Sequence, residues 1–317
     1  MTHMGKRNLA KMMLVVGIVV FMGASFGMSL EVEPFFTWYY MFAWWPFIIM
    51  LESAMFLARG YSRLYDRPRE FAELIPLSVT IWLVFEAFNF RLDNWHYLNV
   101  PESLPLRWVG YFVSFGSVLP GIFVVMRLFE FMGLWEESGD KQLNKPERLV
   151  MPLVLLGAAC LILPLIWPRY FFPLVWGGFI FLLEPWIYKG GGRSLLAQWS
   201  RGNLRQFKLL LLAGLVCGGL WEMWNYWAGA KWFYTVPFVG FLKVFEMPVL
   251  GFLGFPPFAV ECFVMYSAYL LFKKRINRLG GYRRTYAWVL LAGAAIIFTL
   301  LVFAGIDAYT VASFSEF

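Results

Sequence analysis

The chain has 317 residues, of which 60% are hydrophobic and only 15% charged. Soluble domains carry roughly 25% charged residues, so a soluble globular fold is excluded and a membrane-embedded one is expected. The net charge of +7 is accounted for by basic loop ends facing anionic lipid, which leaves nucleic-acid binding without a role.

A membrane span needs about 20 predominantly apolar residues. Nine segments meet or approach that length, near 10–30, 35–57, 73–90, 107–130, 149–167, 170–188, 208–228, 247–272 and 286–305. The first resembles a signal peptide in having Lys6, Arg7 and Lys11 ahead of an apolar run. That run is too long for a signal peptide and residues 25–29 offer no convincing cleavage site, so a retained helix is expected. The loops at 91–106 and 228–246 are aromatic and contain proline, which predicts segments packed as caps over the bundle. The charged stretch 136–148 is the expected joint between halves. After Gly190-Gly191-Gly192 ends the sixth helix, residues 194–207 read as a short basic amphipathic helix lying on the membrane surface.

Basic residues set the expected orientation. With the N-terminus inside, 22 of the 27 Lys and Arg residues fall on inner loops and helix ends. Arg91, Arg107, Arg169, Lys231 and Lys243 are the five left outside. This bias predicts an inner-membrane protein with a cytoplasmic N-terminus and an external C-terminus.

The chain also repeats itself. Phe47-Ile48-Ile49-Met50-Leu51-Glu52 returns 132 residues later as Phe179-Ile180-Phe181-Leu182-Leu183-Glu184. Glu86, Asn89, Trp95, Tyr97 and Pro120 match Glu222, Asn225, Trp232, Tyr234 and Pro257 at spacings of 136 or 137. An even number of spans per copy returns the chain to its starting side, so the copies are expected to be parallel. The expected fold is an all-α polytopic bundle of about nine helices. Two parallel four-helix repeats, 1–148 and 149–284, are followed by an additional helix and tail, 285–317.

A carboxylate in hydrocarbon costs about 3 kcal/mol even on insertion scales, and so marks a functional site by default. Glu222 and Asn225 lie three residues apart and share a helix face, as do Glu86 and Asn89. In the eighth span, Pro256 and Pro257 precede Glu261. The prolines are expected to kink the helix and open space beside that carboxylate. Pro257 has a counterpart in Pro120, whereas Glu261 aligns with Val124, so one half keeps a central acid that the other lacks. Trp221, Trp224, Tyr226, Trp227 and Trp232 are expected to crowd around Glu222. An aromatic wall of this kind, with Tyr234, Trp95 and Tyr97, binds a polyene or stabilises a cation by roughly 0.5–2 kcal/mol. Anchoring at the membrane interface is the competing explanation for the two Trp-x-Tyr pairs.

Other chemistries lack their residues. His3 and His96 are the only histidines and lie outside the spans; Cys160, Cys217 and Cys262 stand alone within spans, as packing residues. No metal-ligand spacing, P-loop or Asp-rich diphosphate motif occurs. No metal or cofactor is therefore expected. Glu52 and Glu184, near the inner ends of spans two and six, join Pro120, Pro256 and Pro257 as structural candidates.

The run Glu222-x-x-Asn225, Trp232-x-Tyr234, then Gly251-x-x-Gly254-x-Pro256-Pro257-x-x-x-Glu261 resembles lycopene cyclase-type and carotenoid hydratase-type membrane proteins. The likeness covers about 40 residues well and the first-half copy weakly. It implies a repetitive helical bundle that acts on the ends of a polyene by protonation, without a metal. The chain departs from the cyclases' Pro-x-Glu-Glu in having a single Glu261 after Pro257. The expected function is acid-catalysed cyclisation, isomerisation or hydration of an isoprenoid lipid. Glu261 would act as donor, with Glu222 and Asn225 orienting the site. The substrate wall would be Trp221, Trp224, Trp232, Tyr234, Glu86, Asn89, Trp95 and Tyr97. Expected partners are a hydrophobic lipid or polyene and the membrane lipids. The alternatives are a lipid or proton-coupled transporter and a non-catalytic subunit of a membrane complex.

Overall fold

Nine helices long and apolar enough to cross a membrane dominate the described residues: α1 (His3–Ser29), α2 (Tyr39–Arg59), α3 (Pro68–Leu92), α4 (Leu104–Phe131), α5 (Pro146–Ile166), α6 (Pro168–Lys189), α7 (Arg205–Trp227), α8 (Val249–Asn277) and α9 (Gly281–Tyr309). They make an all-α polytopic bundle, compatible with an integral membrane protein. The computed structural model describes residues 2–136 and 139–314. Met1, residues 137–138 of the expected joint and 315–317 of the expected tail lie outside them.

Packing sorts the helices by burial. α4 is the most enclosed, held by α2, α3 and α7, while α8 packs on α6 and α7. α1 lies on α2, α5 on α6 and α9 on α3, and these three outer helices are the least buried. Close approach explains two glycines. A Cβ at Gly17 of α1 would strike Met50, and one at Gly157 of α5 would strike the backbone at Leu182.

Two spans are interrupted at corresponding places. α4 stops at Phe115 and resumes at Val118; α8 begins as a 3-10 turn over Val249–Gly254 and becomes α-helical at Phe255, 137 residues after Val118. Backbone groups released inside a membrane need protein partners. At the α4 break, Ser78 Oγ donates to the Phe115 carbonyl at 2.6 Å and accepts the Leu119 N–H at 3.0 Å. The expected proline kink is corrected here. Pro256 and Pro257 occupy the first turn of the helix that starts at Phe255, and Pro120 sits in the first turn from Val118. There the missing N–H has no intrahelical acceptor to lose, so proline starts the helix rather than bending it.

The expected surface helix at 194–207 is also corrected. Within it only Leu195–Trp199 forms a helix of its own, with Leu195 and Leu196 buried, and residues 205–207 already belong to α7. Ser194 Oγ and the Leu196 N–H donate to Glu184 at 2.5 and 2.9 Å, drawing the segment inward. The same pattern holds Glu52, which accepts Ser62 Oγ at 2.5 Å and the Leu64 N–H at 3.3 Å, and pairs with Arg127.

The ninth helix is fastened by an acid that sequence inspection passed over. Asp307 accepts Arg107 Nε and Nη2 at 2.7 and 3.0 Å, Trp108 Nε1 at 2.9 Å and the Tyr111 hydroxyl at 2.9 Å. Removing one partner of a buried ion pair costs about 3–5 kcal/mol because the other is left uncompensated. Asp307→Ala should therefore lower the unfolding midpoint in detergent sharply. The double change Arg107→Leu with Asp307→Leu should recover much of the loss. A single variant as stable as wild type would contradict the clamp.

Candidate functional site

Two loops close the bundle at the side opposite the N-terminus. β1 (Trp95–Leu98), from the loop after α3, pairs antiparallel with β2 (Lys231–Tyr234), from the loop after α7. Trp95 faces Tyr234, His96 faces Phe233 and Tyr97 faces Trp232. Each strand is pinned by the asparagine at the end of its helix. Asn89 Nδ2 donates to the Trp95 carbonyl at 2.7 Å while its Oδ1 accepts the Asn94 and Trp95 N–H groups. Asn225 Nδ2 donates to the Trp232 carbonyl at 2.8 Å and its Oδ1 accepts the Trp232 N–H at 2.9 Å. The asparagines therefore hold backbone, and the glutamates beside them are left to nearby side-chain donors.

Those side chains treat the two glutamates differently. Glu86 Oε1 accepts three donors: Trp82 Nε1 at 2.8 Å, Trp95 Nε1 at 3.1 Å and the Tyr97 hydroxyl. Glu222 Oε1 accepts the Tyr234 hydroxyl at 2.7 Å, and Trp232 Nε1 turns to that hydroxyl at 2.8 Å. The residue one turn before Glu86 is Trp82, whereas the residue one turn before Glu222 is Gly218, whose space is filled by the Phe255 ring. Burial, reinforced by the neighbouring glutamate, holds both Tyr97 and Tyr234 well above the usual tyrosine range, so both remain donors.

Under the strands lies a cavity of about 180 Å³. Trp82, Trp95, Trp176, Trp221, Trp232 and Phe258 supply much of its wall, and both helix breaks reach it through Phe115 and Phe255. Trp176 is stacked on Phe85 with centroids 5.4 Å apart, and its ring meets Phe258 edge-on. Three buried polar side chains in the lining keep an atom without a hydrogen-bond partner: Asn94 Oδ1, Trp221 Nε1 and Glu222 Oε2.

The expected residues divide into three groups. Glu222, Trp221, Trp232, Tyr234, Trp95 and Tyr97 meet at the cavity. Glu86, Asn89 and Asn225 stand behind it, bonded to its lining, and Trp224 packs edge-on against Trp44. Glu261 is fully buried but does not line the cavity; its Oε1 accepts the Phe179 N–H of α6 at 2.7 Å. It lies one turn further along α8 than Phe258. Tyr226 and Trp227, expected around Glu222, are exposed, at 40% and 53%. They occupy the outward face of the last turn of α7. Glu52 and Glu184 lie in the clusters at the other end of α2 and α6. Sequence reasoning missed Tyr40, Trp82 and Trp176. The 132-residue spacing carries a signal for Trp176, which is the counterpart of Trp44. Among the described residues, no group of three His, Cys, Asp or Glu side chains is placed to hold a metal.

Comparison of the chain with protein-family models, with curated proteins and with solved structures gives no match.

The unequal donors make the two glutamates separable by stability. A glutamine carbonyl has two lone pairs for the three donors around Glu86, and hydrogen bonds to charged groups are worth about 1.5–3 kcal/mol. Glu86→Gln should cost about 2 kcal/mol, whereas Glu222→Gln keeps its single tyrosine bond and should cost less than about 1 kcal/mol. Unfolding midpoints of the two purified variants decide this, and equal losses would contradict it.

Proposed function

We propose that the chain is a membrane-embedded enzyme that protonates the end group of an isoprenoid lipid, with Glu222 as the acid. The observation that carries this reading is Glu222 Oε2, a buried carboxyl oxygen without a protein partner in the lining of an aromatic cavity. The likeness of residues 222–261 to carotenoid-modifying membrane proteins implies the same substrate class.

The chemistry needs no oxidant, reductant or second substrate beyond water. The Glu222 acid gives its proton to one carbon of a terminal double bond, and the adjacent carbon becomes a tertiary cation. The Tyr234 hydroxyl stays on Oε1 and stabilises the carboxylate that forms. The faces of Trp82, Trp176, Trp221 and Trp232 surround the space in which the cation would sit, where cation–π attraction is strongest in the absence of water. Return of a different proton to Glu222 completes isomerisation or cyclisation; capture of water and loss of its proton completes hydration. In either case the acid is regenerated.

Glu261 then supports the site from beneath by holding α6 to α8 through the Phe179 N–H. The distribution of acids favours this reading over transport, since Glu222 lines the cavity and Glu52 and Glu184 do not. The two halves are proposed to be related by rotation about the membrane normal. The paired strands support this, because Trp95 faces the counterpart of Tyr97 and Tyr97 faces the counterpart of Trp95. An inner-membrane location with an internal N-terminus, proposed from the basic-residue bias, is tested by tag accessibility at the two ends.

The functional test is lipid and pigment extraction from a host supplied with a linear polyene. Glu222→Gln should abolish the new product and Tyr234→Phe should reduce it by about a hundred- to a thousandfold, the usual loss when one group stabilising developing charge is removed. Glu261→Gln should retain the product whenever the protein accumulates. Product from Glu222→Gln at the wild-type level would overturn the assignment.

A further inference from the structure

The cavity is too small for a whole polyene. Its volume of about 180 Å³ is close to the roughly 150 Å³ of a cavity that admits a single benzene ring. It fits an end group, and the rest of a long chain must lie elsewhere.

A second space answers that need. A groove of about 470 Å³ runs between α1, α2 and α4, lined by residues that include Met13, Val16, Ile49, Val109 and Val113. Every lining residue is apolar, and the Trp45 indole spends its N–H on the Val113 carbonyl at 3.1 Å. The groove therefore presents hydrocarbon and offers nothing to a headgroup. It adjoins the cavity, because Trp38 and Met41 line both. The Trp38 ring lies against Gly110, where a Cβ would collide with it, so the partition is a half-buried side chain resting on a bare stretch of α4.

We infer that this groove holds the apolar tail of the isoprenoid whose end group occupies the cavity, and that Trp38 and Met41 form the gate through which the end group passes from the bilayer. The inference rests on the proposed function for its substrate class. Loading takes place sideways from lipid, consistent with a substrate that never dissolves in water.

The test uses a geranylgeraniol derivative whose first isoprene unit, at the end opposite the double bond that enters the cavity, carries a photoreactive diazirine in place of the hydroxyl, with the full-length protein in phosphatidylcholine nanodiscs and labelled residues mapped by mass spectrometry. Saturable labelling should fall on Met13, Val16 and Ile49 and be displaced by unlabelled geranylgeraniol. Val109→Trp fills the groove from an exposed position, 59% accessible, outside the cavity lining. It should cut that labelling by about tenfold, a loss of about 1.4 kcal/mol in binding, and Leu290→Trp on the exposed face of α9 should not. Saturable labelling confined to cavity residues would overturn the groove and leave the cavity reading standing. Labelling of the groove that does not saturate, or that matches α9, would mean bilayer lipid only and would overturn the inference. Absence of saturable labelling anywhere in the protein would remove the inference and the functional reading together.

Discussion

A carboxylate carried into a membrane interior must be met by donors supplied by the protein, and the architecture of this chain follows from that requirement. Glu86 and Glu222 are both fully buried, and a buried charge is costly unless it is hydrogen-bonded. Apart from Trp82 on α3, the donors come from two short strands that fold back over the helix ends. The strands are held in place by Asn89 and Asn225, which spend both ends of their amides on strand backbone. The aromatic cap, the paired strands and the cavity beneath them are consequences of keeping two acids in hydrocarbon.

Two Glu-x-x-Asn helix ends then surround their glutamates with unequal side chains. In the first half Trp82, Trp95 and Tyr97 converge on one oxygen of Glu86 and leave it fixed. In the second half Gly218 stands where a tryptophan would be, Phe255 moves into the space, and Trp232 bonds to Tyr234 instead of the acid. Glu222 is left with one tyrosine and an open view of the cavity. A single small residue thus separates a carboxylate held by three donors from the one proposed to react. At the far end the order is reversed: Glu52 gains Arg127, while Glu184 relies on Ser194 and backbone.

The spans, the capping loops and the Glu-x-x-Asn pairs were legible because composition and helical spacing act over many residues. The inner working of the site was less so. Glu261 shares a helix face with Phe258, but it lies three residues on, about 4.5 Å further along the axis. One turn decides whether an acid lines a cavity or bonds to the next helix. Pro256 and Pro257 looked like a kink because the preceding 3-10 turn is as apolar as a helix interior. Four-residue strands carry too little periodicity to be seen, and their pairing joins residues 139 apart, Trp95 with Tyr234. Asp307 went unremarked because its partners, Arg107, Trp108 and Tyr111, lie about 200 residues earlier.

The central claim is that a proton passes from Glu222 to a carbon of the lipid, and isotope incorporation reads that transfer directly. Purified protein is incubated with the polyene in deuterium oxide and the product analysed by mass spectrometry. The account predicts one non-exchangeable deuterium at the protonated carbon with wild type, and no product with Glu222→Gln. Product without deuterium, or deuterated product from Glu222→Gln at the wild-type rate, would contradict it.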